Sequence, residues 1–130
     1  FTIDRERVIR ALMNIIANAR EALTAGGEIQ IRSHISRQTV QIEIQDSGPG
    51  IADQIKGTLF EPFVTFGKSR GTGLGLAIAK RIIDAHQGEI RFESAAGAGT
   101  TFTISIPRAG VSTRSVSAEI AVSVGPPRMG

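Results

Sequence analysis

The chain has 130 residues, a length that fits one domain able to bury a core without cross-links. Hydrophobic residues make up 41% and charged residues 21%, near globular averages, and the absence of cysteine excludes disulfides, thiolate metal sites and thiol nucleophiles. The net charge of +3 gathers at the C-terminal end, where residues 108–130 carry 3 basic and 1 acidic against 12 and 11 in residues 1–107; with Trp and Tyr also absent, a nucleic-acid surface is not expected.

In chain order, Asp4 reads as an N-cap, and Val8, Leu12, Ile15, Ile16, Ala19 and Leu23 follow at the spacing of one helical face. Gly26-Gly27 ends that helix. Ile29, Ile31 and Ile35 then alternate with polar residues, and Val40, Ile42 and Ile44 repeat the pattern after Ser36-Arg37-Gln38-Thr39, which predicts a hairpin. Asp46-Ser47-Gly48-Pro49-Gly50 is a turn-rich loop, and Ile51 to Phe60 has room for one or two helical turns.

Residues 61–75 lack periodicity, and a connection of that length in a small domain is usually functional or mobile. A second helix is predicted from Leu74 or Gly75 to His86, with Leu76, Ile78, Ala79, Ile82 and Ile83 inward, Lys80, Arg81 and Asp84 outward, and Gly88 as its stop. Ile90 and Phe92, then Phe102, Ile104 and Ile106, mark two more strands around Ala96-Gly97-Ala98-Gly99. The expected fold is α+β: a two-layer α/β sandwich, with a mixed, mostly antiparallel sheet of about five strands on about three helices.

Three constellations could carry chemistry. Asn14, Asn18 and Glu21 share one stripe of the first helix at about 100° per residue. That stripe is either a solvated face or, because Asn is a mediocre helix former, the wall of a polar cavity; an Asn oxygen can complete a Mg²⁺ shell made otherwise of phosphate oxygens and water. Asp46 enters a turn with two glycines, where it is either an Asx-turn residue or an acceptor for an exocyclic amine. Gly71-Thr72-Gly73-Leu74-Gly75 leads into a helix and gathers bare N–H groups suited to phosphate, with Lys68 and Arg70 just upstream. His34 and His86 have no metal-ligand spacing and read as structural.

Taken in order, Asn14-Ile15-Ile16-Ala17-Asn18-Ala19, Asp46-Ser47-Gly48-Pro49-Gly50, Phe60-Glu61-Pro62-Phe63, Gly71-Thr72-Gly73-Leu74-Gly75-Leu76 and Gly99-Thr100-Thr101-Phe102 resemble the N, G1, F, G2 and G3 boxes of sensor histidine kinases. The resemblance covers residues 1–107 and implies an ATP-binding catalytic domain of the kind shared with gyrase, Hsp90 and MutL. It implies that Asn18 ligates Mg²⁺, and that Asn14 lines the phosphate side where ATP-hydrolysing relatives often carry a Glu base. By the same resemblance Asp46 receives the adenine amino group, Gly48, Gly50 and Ile51 shape the purine pocket, and Thr101 supports it. Gly71, Thr72, Gly73, Leu74, Gly75 and Leu76 face the phosphates, Phe60 and Phe63 anchor a lid, and Lys68 is its cation. Glu21, where many members have Lys, and the short stretch from Val64 to Arg70 resemble the nitrogen-regulator-like branch.

The implied activity is transfer of the γ-phosphoryl group from ATP to a His on a separate dimerisation domain, with a response regulator downstream. Neither His34 nor His86 opens the family's phosphoacceptor pattern, so the chain alone is not expected to autophosphorylate. The alternatives are a serine kinase of the anti-sigma-factor type or a non-catalytic nucleotide-binding module. No apolar run approaches the roughly 20 residues of a membrane helix, and Phe1-Thr2-Ile3-Asp4 has no signal-peptide layout, so a cytoplasmic domain without membrane contact is expected. Beyond residue 107, Val116, Ala118, Ile120, Val122 and Val124 alternate with Ser117, Glu119, Ala121 and Ser123. That tail is either disordered or an added strand, pairing beside residues 1–3 as in a circular permutation.

Overall fold

A computed structural model describes residues 4–23, 26–36, 38–61, 75–95, 97–107 and 116–124. The expected positions Phe63, Lys68, Gly71, Thr72, Gly73 and Leu74, and the pairing proposed with residues 1–3, lie outside them. Eight elements are formed: α1 (Arg5–Ala22), β1 (Gly27–Ile35), β2 (Thr39–Asp46), α2 (Asp53–Lys56), α3 (Gly75–Ala85), β3 (Glu89–Ser94), β4 (Thr100–Pro107) and β5 (Val116–Val124).

Asp4 caps α1, its Oδ1 accepting the Arg7 amide hydrogen at 3.2 Å. Val8, Ala11, Ile15 and Ala19 turn inward, as the apolar spacing requires, and two alanines among them keep the helix close to its neighbours. Gly26, in the left-handed region at φ 88°, redirects the chain into β1.

The strands form one sheet in the order β3-β4-β2-β1-β5. All four pairings are antiparallel, so no parallel component is present among the described residues. Burial alternates strictly along β4, with Thr100, Phe102, Ile104 and Ile106 on the helix side and Thr101, Thr103 and Ser105 on the outer face. Ile15, Ile44, Ile83, Phe102, Ile104 and Ile106 are completely enclosed between the sheet and α1 and α3, and this is the core that the hydrophobic pattern encodes.

Helix α3 runs antiparallel to α1. Its first residue, Gly75, lies beside Asn14, and at the other end the Asp4 amide donates to His86 Nε2 at 2.9 Å. Because that nitrogen accepts, the ring proton sits on Nδ1, which donates to the Ile82 carbonyl at 2.8 Å. The stop of α3 differs from expectation. The left-handed residue is Gln87, at φ 59°, and Gly88 follows it, its amide bonded to the Ile83 carbonyl at 2.9 Å. Gly88 is needed for space instead, since a Cβ there would stand 2.5 Å from the Ser105 carbonyl oxygen.

The alternating tail segment forms β5, which pairs with β1 from Ile35↔Val116 to Gly27↔Val124. It occupies one edge of the sheet.

Candidate functional site

Two turns are clamped together at the ends of β2 and β3. Asp46, the last residue of β2, is buried and faces the helix layer opposite Thr100 of β4. Its Oδ1 accepts the Gly48 amide hydrogen at 2.8 Å, and the Thr100 amide is a further donor to the carboxyl. Burial pushes the Asp46 carboxyl above its ordinary value of 3.8, against the opposing pull of those two amide bonds.

The loop after Asp46 is tied to the β3–β4 turn at several points. The Gly97 amide donates to the Pro49 carbonyl at 2.9 Å, the Ile51 amide donates to Ser94 Oγ at 2.7 Å, and Ser94 Oγ lies 3.0 Å from Thr100 Oγ1. Two glycines make the approach possible. A Cβ on Gly50, at φ 86°, would run into the Ala95 carbonyl, and one on Gly99, at φ 81°, into the Asp46 carbonyl. Lys56 of α2 closes the same corner, donating to the Ser94 carbonyl at 2.8 Å.

Asn14 and Asn18 are half-buried one turn apart on α1, and Asn14 lies beside Gly75, the first residue of α3. Asp46 belongs to the other end of that helix, because Gly48 packs against the Ala22 carbonyl and Leu23 at the C-terminus of α1. Ile51 and Leu76 are buried. Phe60 is half-buried, its ring edge-on to Phe92 and Phe102 with centroids 5.9 and 6.3 Å away. The expected positions Asn14, Asn18, Asp46, Gly48, Gly50, Ile51, Phe60, Gly75 and Leu76 are thus all on the helix side of the sheet or at its rim.

Thr101 is not brought to this site. It stands on the outer face, in register with Gln45 and Glu93, and the threonine on the face of Asp46 is its neighbour Thr100. The signal for Thr100 was present in the sequence, since it shares strand parity with Phe102, Ile104 and Ile106. Glu21 is exposed near the C-terminal end of the amide stripe. Among the described residues no group of three His, Cys, Asp or Glu side chains could hold a metal. A cation here would therefore take most of its ligands from a bound phosphate and water, and the neutral oxygen of Asn18 fits that donor set.

The antiparallel sheet with α1 and α3 packed against it is an α/β sandwich, and Asp46 is a buried carboxyl at the end of its strand β2. The chain belongs to the family described as histidine kinase-, DNA gyrase B- and HSP90-like ATPase, whose model matches residues 3–110. It is 46% identical over 105 residues to the signal transduction histidine-protein kinase AtoS of Escherichia coli K12, covering 80% of this chain and 17% of that protein. It is 40% identical over 115 residues to the sensory histidine kinase/phosphatase NtrB of Salmonella typhimurium, covering 80% and 32%. The chain thus spans less than a third of the length of these relatives.

Among solved structures it is similar to the mycobacterial sensor histidine kinase MprB, with TM-score 0.70, 33% identity and coverage of 80% and 74%. A nucleotide-free catalytic domain of histidine kinase ThkA gives TM-score 0.69, 39% identity and coverage of 80% and 69%. The chain is a histidine-kinase-type ATP-binding catalytic domain.

Proposed function

We propose that this domain binds ATP with Mg²⁺ and passes the γ-phosphoryl group to a histidine on a separate helical dimerisation domain of a cytoplasmic two-component kinase module, with a response regulator downstream. The observation that carries the reading is the line of polar groups on one helix flank. Asp46 is buried near the C-terminal end of α1, Asn18 and Asn14 follow along that helix, and Gly75 opens α3 beside Asn14.

In this reading Asp46 accepts the adenine amino hydrogen, Gly48 and Gly50 bring backbone close to the purine, and Ile51 gives it an apolar wall. Thr100, already bonded to Asp46, takes the supporting role first assigned to Thr101. Asn18 is a ligand to Mg²⁺, and Asn14 with Gly75 and Leu76 borders the phosphates. Gly71, Thr72, Gly73 and Leu74 continue that border, Phe60 and Phe63 anchor the lid and Lys68 neutralises phosphate charge. Bound Mg²⁺ would supply charge neutralisation on the phosphate oxygens. The chain's own contribution is positioning: at the phosphate end Asn14 is a neutral amide and not a carboxylate base, which suits transfer more than hydrolysis. His86 is buried with both ring nitrogens in hydrogen bonds, so it does not serve as the acceptor.

Incubation with γ-labelled ATP and a separately supplied phosphoacceptor domain tests the reading. An acid-labile, base-stable label on the acceptor is expected; an acid-stable label, or none, overturns it.

A further inference from the structure

Ser94, the last residue of β3, makes three hydrogen bonds with one hydroxyl. Its Oγ lies 2.7 Å from the Ile51 amide nitrogen, 3.2 Å from the Gly99 carbonyl oxygen and 3.0 Å from Thr100 Oγ1. The directions follow from what each partner can do. The carbonyl only accepts, so it takes the single serine proton, and the amide only donates, so it takes one serine lone pair. The second lone pair is left for Thr100, whose hydroxyl is therefore the donor in that pair. The capacity of the Ser94 hydroxyl is then full.

Thr100 is buried on the helix side of β4, opposite Asp46, and its amide donates to the Asp46 carboxyl. With its proton committed to Ser94, Thr100 Oγ1 offers a ligand only lone pairs, and the ionised carboxylate beside it likewise only accepts. Acceptors alone at one corner suit an amino group, which carries two hydrogens, and reject a carbonyl oxygen. A water bridging Asp46 and Thr100 keeps the same sense. Both of its hydrogens point at protein oxygens, so its remaining lone pairs call for a donor from the ligand.

We propose that Ser94 is a positioning residue for base specificity: by taking the Thr100 hydroxyl proton it keeps the Asp46 corner acceptor-only, which selects the 6-amino group of adenine over the 6-oxo group of guanine without Ser94 touching the base. The inference rests on the adenine role given to Asp46 above. Ser94 is the hydroxyl partner of Thr100 among the described residues. Without it the threonine proton is free to turn toward the base or the bridging water, and a carbonyl at the 6-position then finds a donor.

The test measures affinities for non-hydrolysable ATP and GTP analogues with the parent, Ser94→Ala, Thr100→Val and the double variant. The parent is expected to prefer the ATP analogue, and Ser94→Ala to narrow that preference about tenfold. Thr100→Val keeps the shape and removes the hydroxyl, so it should narrow the preference as well. Ser94→Ala should change the ratio no further in that background, because Ser94 acts through Thr100. An unchanged ratio in Ser94→Ala overturns the proposal. Loss of both nucleotides by the same factor also overturns it, since Ser94 would then only clamp the turn, and so do additive effects of the two substitutions on the ratio. Should Ser94→Ala fail to fold, Ser94→Cys, close in size and a weak hydrogen-bonding group, must narrow the preference, and a parental ratio there overturns the proposal. A parent that binds neither analogue sinks the adenine reading itself, whereas a selective parent whose ratio survives Ser94→Ala sinks only the role of Ser94.

Discussion

Asp46 Oδ1 accepts the Gly48 amide hydrogen at 2.8 Å, so the carboxylate that ends β2 also shapes the turn after it. Its environment fixes the sign of a pH effect. Burial raises the folded-state value above 3.8, and in the window between the two values the folded chain holds a proton that the unfolded chain has released. The contribution of this group to stability is greatest below that window and falls as pH rises through it. Asp46→Asn removes the cost of burying the charge while keeping an oxygen for Gly48. Its melting temperature at neutral pH should match or exceed that of the parent, while adenine nucleotide affinity falls more than about tenfold. In the parent, nucleotide affinity should decline on acidification through the same window. Titration calorimetry across that range checks both effects, and equal affinity for ATP and GTP would contradict the adenine role.

Gly97 and Gly99 separate backbone conformation from space. Both have positive φ, 76° and 81°, but a Cβ on Gly97 meets nothing within 4 Å, whereas one on Gly99 meets the Asp46 carbonyl. Gly97→Ala should cost about 1 kcal/mol, the strain of a left-handed alanine alone. Gly99→Ala should cost about 2–4 kcal/mol and weaken nucleotide binding, because the β2 end must move. Denaturant midpoints measure the difference, and equal losses would show that the two turns are not clamped.

Gln87 holds a left-handed conformation that glycine adopts without strain. Gln87→Gly is expected to raise stability by about 0.5–1 kcal/mol, an upward shift of several degrees in melting temperature for a domain of this size. A lower melting temperature would mean that the exposed glutamine side chain contributes more than its backbone costs.

Strand β5 pairs with the whole of β1, so removing residues 111–130 exposes that edge. The truncated chain should melt several degrees lower, with faster hydrogen exchange in Gly27–Ile35 and little change in Thr100–Pro107. An unchanged melting temperature would show that β5 adds nothing to the domain.

Local patterns carried much of the fold. The cap at Asp4 and the inward spacing from Val8 to Leu23 reappear as an element, because period and turn chemistry act over a few residues. Val116–Val124 is a strand as well, but Ala118 and Ile120 are exposed like Glu119 and Ala121, so its alternation does not mark a buried face. What depended on register was less legible. Thr101 and Thr100 are adjacent; strand parity puts Thr100 on the buried face with Phe102, but its pairing opposite Asp46 is set by a register 54 positions apart. His86 could be read as structural, but its partner Asp4 lies 82 positions away and is set by the antiparallel packing of α1 on α3.

The most direct test of the central claim is titration of the parent and of Asn18→Ala with a non-hydrolysable ATP analogue, with and without Mg²⁺. The parent should bind, more tightly when Mg²⁺ is present, and Asn18→Ala should lose that Mg²⁺-dependent gain while keeping its metal-free affinity. Absence of binding by the parent at millimolar analogue, or an unchanged Mg²⁺ gain in Asn18→Ala, would contradict a Mg²⁺–ATP site on this flank of α1.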